Sequence, residues 1–136
     1  MTKFESTVKN LSYTQEQVYA KLSDLTNMEG MKDQISEDKV ENLTFDKDTL
    51  SFNAPPVGQI TFSIVEREPQ KCIKFETLNS PLPLNLWIQI LPVDEENSKM
   101  KVTIAAELNP FIKGMLQKPL QEGAEKIADM LSGLSY

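Results

Sequence analysis

The side chains that most often carry chemistry are scarce in this chain. Among its 136 residues there is no histidine, one cysteine (Cys72) and one arginine (Arg67). Without imidazole the chain lacks both the usual general base at neutral pH and the commonest metal ligand. One thiol cannot complete a zinc or facial-triad iron site from customary donors, so no metal centre and no cofactor are expected. The acidic residues do not repair this. Glu66, Arg67 and Glu68 are sequence neighbours, but side chains alternate along a strand, so only the two glutamates share a face, beside a proline turn where solvation is expected. Lys74 and Glu76 share the polar face of another strand and read as a surface pair. No serine stands in a nucleophile-elbow setting, and Cys72 has no base partner to activate it. No catalytic residue is assigned.

Charge and length narrow the classes further. A net charge of −6 with a single arginine is the wrong electrostatic footprint for nucleic acid or for anionic lipid head groups. A chain of this length predicts one domain, 1–136, able to bury a core without disulfides. The first residues, MTKFESTVKN, carry no secretory hydrophobic run, and the longest apolar-leaning stretch, Pro81 to Val93, is too short to span a bilayer. A soluble cytoplasmic protein without membrane insertion is expected, in which the triplets at Asn10 and Asn42 are chance glycosylation matches.

The elements that would position any site are legible from periodicity. Lys3 to Leu11 alternates as a half-buried strand with Phe4, Ser6 and Val8 on one side. Thr14 with Gln17 then forms a capping box, and Tyr13 with Val18 a hydrophobic staple, so a helix should start at Gln15 and bury Val18, Leu22 and Leu25. A second box, Thr26 with Glu29, predicts a short second helix using Met28, Met31 and Ile35.

Strand and turn signals follow for about seventy residues. VENLTF and TLSFNA should pair across Asp46–Lys47–Asp48, with Pro55–Pro56 ending the second. Gly58 to Glu66 turns Ile60, Phe62 and Ile64 to one face. Glu68–Pro69–Gln70 turns the chain into Lys71 to Asn79, which alternates Ile73, Phe75 and Thr77 with Cys72, Lys74 and Glu76. Ser80–Pro81 and Pro83 connect to Leu84, Leu86, Ile88 and Ile90, followed by the acidic turn DEENS and by Met100, Val102, Ile104 and Ala106. Pairing Val93 with Lys99 would put the even-numbered residues of both strands on one face and leave Trp87 on the other, beside Ala105.

The last segment is the most apolar. Asn109 as cap and Pro110 at the first helical position launch it. Read in steps of four, Phe111, Met115, Pro119, Gly123, Ile127 and Leu131 lie beside Ile112, Leu116, Leu120, Ala124 and Ala128, an apolar face opposite a solvated one. Pro119 should kink or break this helix at Lys118, either bending it around its partner or baring the Met115 carbonyl. Short turns make the sheet antiparallel, and a twisted sheet of this size curls around what it covers. The expected class is α+β: a curved antiparallel sheet of about 6–7 strands around a long C-terminal helix, with two short helices after the first strand.

This order of elements, together with the character of the final segment, resembles the helix-grip fold of the SRPBCC superfamily, which includes START lipid-transfer domains, birch-pollen-allergen-like proteins and polyketide cyclases. The resemblance covers the whole chain and implies a tunnel for a hydrophobic ligand between sheet and helix. It excludes the Rieske-oxygenase branch, whose iron is held by histidines.

The candidate cavity lining is accordingly Ile60, Phe62, Phe75, Ile88 and Ile104 from the sheet with Phe111, Met115, Pro119 and Ala124 from the helix. Gly123, Ala124 and Ala128 either leave room for a small hydrophobic molecule or let the helix approach the sheet closely, as dense interiors require. Met28, Met31 and Met115 read either as an adaptable lid or as gap-fillers. The leading expectation is non-enzymatic binding of a small hydrophobic or lipid-like ligand. The alternatives are a polyketide-cyclase-like enzyme working by confinement, and a protein-partner-binding domain without a cavity, using Asp94 to Asn97 or the face around Trp87.

Overall fold

The computed structural model describes residues 2–29, 41–54, 58–78 and 83–134. In chain order these give β1 (Thr2–Glu5), β2 (Lys9–Leu11), α1 (Gln15–Leu22), α2 (Thr26–Glu29), β3 (Glu41–Phe45), β4 (Thr49–Ala54), β5 (Gly58–Glu68), β6 (Cys72–Thr77), β7 (Leu84–Pro92), β8 (Ser98–Ala106) and α3 (Pro110–Ser132). The strands form one antiparallel sheet in the order β1-β8-β7-β6-β5-β4-β3, with β2 also on β8. Its inner face carries the core: Ile60, Phe62, Ile73, Phe75, Leu86, Ile88, Ile90, Met100, Val102 and Ile104 are all buried. The α+β architecture is the one the pattern predicts, with eight described strands rather than six or seven.

The extra strand arises from a bulge. Between the pairs Glu5↔Thr103 and Lys9↔Met100 the first chain advances four residues while β8 retreats three. Ser6 fills the gap, donating its N–H to the Val102 carbonyl (2.8 Å) and accepting the Val102 N–H at its hydroxyl (3.0 Å). One added residue reverses the side-chain alternation. Val8, predicted to share a face with Phe4, is therefore exposed, and Leu11 is buried in its stead.

The β7–β8 hairpin also differs from expectation. Leu91, not Val93, pairs with Lys99, so Trp87 lies opposite Thr103 rather than beside Ala105. A slip of two residues preserves the faces, and the even-numbered side chains meet inside as predicted. On the outer face Trp87 is half-buried, with the Lys3 and Lys74 ammonium groups 6.0 and 5.5 Å from its ring.

The capping box of α1 is as predicted, with Gln17 N–H on Thr14 Oγ1 (3.1 Å) and Thr14 N–H on Gln17 Oε1 (2.9 Å). The Glu29 side chain, needed for the second predicted box, lies outside the described residues. Asp24 accepts both the Thr26 N–H (3.1 Å) and its hydroxyl (2.6 Å), which holds the Asp24 carboxyl below the usual range. Met31, Ile35, Pro55, Pro56, Ser80 and Pro81 lie outside the described residues, as does the Met28 side chain.

Candidate functional site

The closing helix α3 packs chiefly on β8, β1 and β2, one side of the curled sheet. Asn109 caps it through Ile112 N–H (2.9 Å), and it runs unbroken through Pro119. Ala124 and Ala128 are fully buried, whereas a Cβ added at Gly123 would only just reach Ile104 Cδ1 at 4.0 Å. Small side chains thus bring this part of α3 close to the strands.

Polar contacts fix the same segment. Glu125 receives the Thr7 N–H (2.7 Å) and hydroxyl (2.9 Å), and Lys9 bridges Glu125 (2.5 Å) and Asp129 (2.7 Å). The Lys9 ammonium and the two Thr7 donors hold Glu125 down to about 2, and in return Asp129 and Glu125 raise Lys9. The bulge after β1 is what frees Thr7 to face the helix, since its N–H goes to Glu125 rather than to a strand. Gln121 adds a hydrogen bond to the Glu5 carbonyl (2.6 Å).

Because α3 leans to the β1–β2 side, its last turns and the opposite part of the sheet do not close completely. A void of about 40 Å³ remains between them. Phe45 of β3, Leu50 and Phe52 of β4, Phe75 of β6, and Leu86 and Ile88 of β7 wall it on the sheet side. Ile127, Met130 and Leu131 come from α3, and Leu22 and Leu25 from α1 and the residues after it. Every described lining side chain is apolar. On the usual scale this volume would hold roughly three waters, and the described wall offers them no hydrogen bonds. Phe45, Leu50, Phe52, Ile127 and Met130 are only half-buried and form its outer side.

A clasp of polar contacts ties the end of α1 to the β3–β4 hairpin beside the void. Arg67 at the end of β5 donates to the Ser23 carbonyl (2.9 Å) and pairs with Asp48 in the β3–β4 turn, while Leu25 N–H bonds the Lys47 carbonyl (2.9 Å). The one arginine therefore ties the α1–α2 junction to the hairpin that supplies Phe45 and Leu50.

The structure distributes the sequence-derived lining set unevenly. Phe75 and Ile88 stand on the void wall. Ile60, Phe62, Ile104 and Ala124 are buried outside that wall; Phe62 stacks behind Phe52 with ring centroids 6.0 Å apart. Pro119 is half-buried. Phe111 and Met115 are 88% and 73% exposed and reach no part of the void, a correction with a geometric cause. A four-residue step overshoots the helical turn by about 40°, so a row beginning at Phe111 has wound about 200° by Leu131. The row that appears continuous in sequence starts on the solvent side and ends inside. Missed by the same reasoning were the β3–β4 residues Phe45, Leu50 and Phe52, whose alternation was legible, and Ile127, Met130 and Leu131.

Cys72 is half-buried, and burial together with Glu68 and Glu66 raises its thiol. That is the opposite of an activated nucleophile. Among the described residues no cluster of three acidic, cysteine or histidine side chains could hold a metal ion. None of the helices described is long and apolar enough to cross a membrane.

Comparison with solved structures places this geometry in a known class. A START superfamily protein from Mycobacterium smegmatis matches with a TM-score of 0.67 and 11% identity, over 96% of this chain and 94% of that one. Norcoclaurine synthase from Thalictrum flavum, solved with dopamine and hydroxybenzaldehyde, matches with 0.74 and 11% over 96% and 84%. A protein of Thermus thermophilus matches with 0.67 and 21% over 96% and 94%. The chain thus shares the fold of these START-like structures, a curved antiparallel sheet against a long C-terminal helix. No family model matches its sequence, and the search of curated proteins gives no match. Identities this low define the fold and leave the site to be argued from its own residues.

Proposed function

We propose that residues 1–136 form one cytoplasmic, non-enzymatic binding domain for a small uncharged hydrophobic molecule, taken up between the sheet and the second half of α3. The observation that carries this reading is the void of about 40 Å³, apolar in all its described lining residues, at the place where the helix stands off the β3–β4 side. Pockets that enclose a drug-sized ligand run to several hundred Å³, so occupancy requires the half-buried wall to yield. Met130, unbranched and at the outer side, is the residue best able to do so. Phe75 and Ile88 would contact the ligand, and Ile60, Phe62, Ile104 and Ala124 would support the wall from behind.

A polyketide-cyclase-like enzyme is the alternative, favoured by the likeness to norcoclaurine synthase. Against it, none of the described residues of the void wall has a titratable or hydrogen-bonding side chain, and moving a proton requires one within reach of the reacting atom. Nothing in the reading calls for a metal or cofactor. Titration with N-phenyl-1-naphthylamine, an uncharged apolar dye, should give saturable fluorescence enhancement. Ile88→Phe, which fills the void from the sheet, should weaken uptake on the order of tenfold for the loss of roughly 1.4 kcal/mol of apolar contact. Parent protein without saturable uptake, or a folded Ile88→Phe variant that takes up dye unchanged, would refute the proposal.

A further inference from the structure

The inner face of the sheet changes character where α3 leaves it. Each of four neighbouring strands turns one phenylalanine inward: Phe45 of β3, Phe52 of β4, Phe62 of β5 and Phe75 of β6. The inward side chains of β7 and β8, from Leu84 to Ile90 and from Met100 to Ile104, include no ring. Of the six phenylalanines in the chain the remaining two are Phe4, buried on β1, and Phe111, exposed at the start of α3. Phe45, Phe52 and Phe75 line the void, and Phe62 stacks behind Phe52 with ring planes 21° from parallel.

Filling space does not account for this distribution. Rings placed only to plug the gap beside the helix would close it, as dense interiors require. Phe62 and Phe75 are buried, but Phe45 and Phe52 stay half-buried beside an unfilled volume of about 40 Å³. What such a wall offers a guest depends on the guest's chemistry. An aromatic guest in edge-to-face or offset contact gains a factor of roughly two to ten in affinity per ring pair beyond the area it buries. Met130 at the outer side can add a sulfur–ring contact of similar kind. A saturated molecule with the same skeleton gains neither, and a flexible alkyl chain also loses the freedom of its rotors on entering. A carboxylate or ammonium group would meet no partner in the described wall, which makes ionised amphiphiles the poorest guests.

We propose that the molecule taken up is a neutral aromatic compound, selected by Phe45, Phe52 and Phe75 against saturated rings, alkyl chains and acids. This selection rests on uptake at the void as proposed above, and the two fail separately. Competition against bound N-phenyl-1-naphthylamine by naphthalene and by decalin compares one carbon skeleton with and without aromaticity. Decalin is the more hydrophobic of the two, so burial alone favours it. Naphthalene should nevertheless displace the dye at free concentrations about tenfold lower, and laurate should displace it least. Phe45→Leu/Phe52→Leu, which keeps the wall apolar, should cut the preference for naphthalene about fivefold or more. Circular dichroism checks that this variant folds; if it does not, the same ratio measured on Phe45→Leu alone, expected to fall about twofold, decides. Decalin or laurate displacing the dye as well as naphthalene does, or a folded variant that keeps the full preference, overturns the aromatic assignment and leaves the binding reading standing. Absence of saturable dye uptake by the parent protein removes both.

Discussion

The two halves of α3 are written in the same alphabet and live in different solvents. Both carry an apolar residue every three or four positions. In the second half Leu120, Ala124, Ala128, Leu131 and Leu134 are buried, and Glu125, Asp129 and Gln121 tie the helix to the strand edge. From Pro110 to Lys118 the largest ones, Phe111 and Met115, face outward. Composition alone therefore does not make a core face. Phase does, together with the presence of an anchoring partner on the neighbouring strands.

The sharpest way to break this comparison is at Leu120, the first side chain of the docked half, which is 5% exposed. Leu120→Ala should destabilise by about 2–5 kcal/mol, read as a lower denaturant midpoint. A loss under about 0.5 kcal/mol would mean that the docked half is no more packed than the free one. An intermediate effect is expected from Glu125. Its folded-state value of about 2 lies below the ordinary 4.5, so its stabilising contribution is complete above that ordinary value and is lost as pH falls from about 4.5 toward about 2. Glu125→Gln should remove that part of the acid transition while lowering the midpoint at neutral pH. An unchanged acid limb in the Gln variant would show that the carboxylate does not anchor the helix. The smallest effect belongs to the free half: Phe111→Ala should stay within about 0.5 kcal/mol of the parent in the same denaturation measurement. A larger loss would place Phe111 in the core after all.

These differences also explain what the sequence made legible. Alternation in β5 to β8 has a period of two, which accumulates no phase error, and so Ile60, Phe62, Ile73, Phe75 and Ile88 were placed inside correctly. Capping chemistry is local, and Thr14 and Asn109 were placed for the same reason. In α3 the step of four drifts, and over five steps the drift inverts the face. The void was harder still, because it depends on where α3 leans. That lean is set by Thr7 and Lys9, which are more than a hundred residues from Glu125 in sequence and turned toward it by a one-residue bulge. No local pattern announces such a contact. For the β3–β4 residues of the wall the sequence predicts only a hairpin and singles out no face.

The bulge has a further effect at the rim of the sheet. A long, regular outer strand leaves a row of free amide and carbonyl groups on which another molecule can add its own strand, the first step toward aggregation. Here that boundary is divided into Thr2–Glu5 and Lys9–Leu11 with a kink between them, and the amide of the intervening Thr7 is already taken by Glu125. Each remaining piece is too short to template a foreign strand, so the residue that seats the helix also protects the protein from polymerising along its open border.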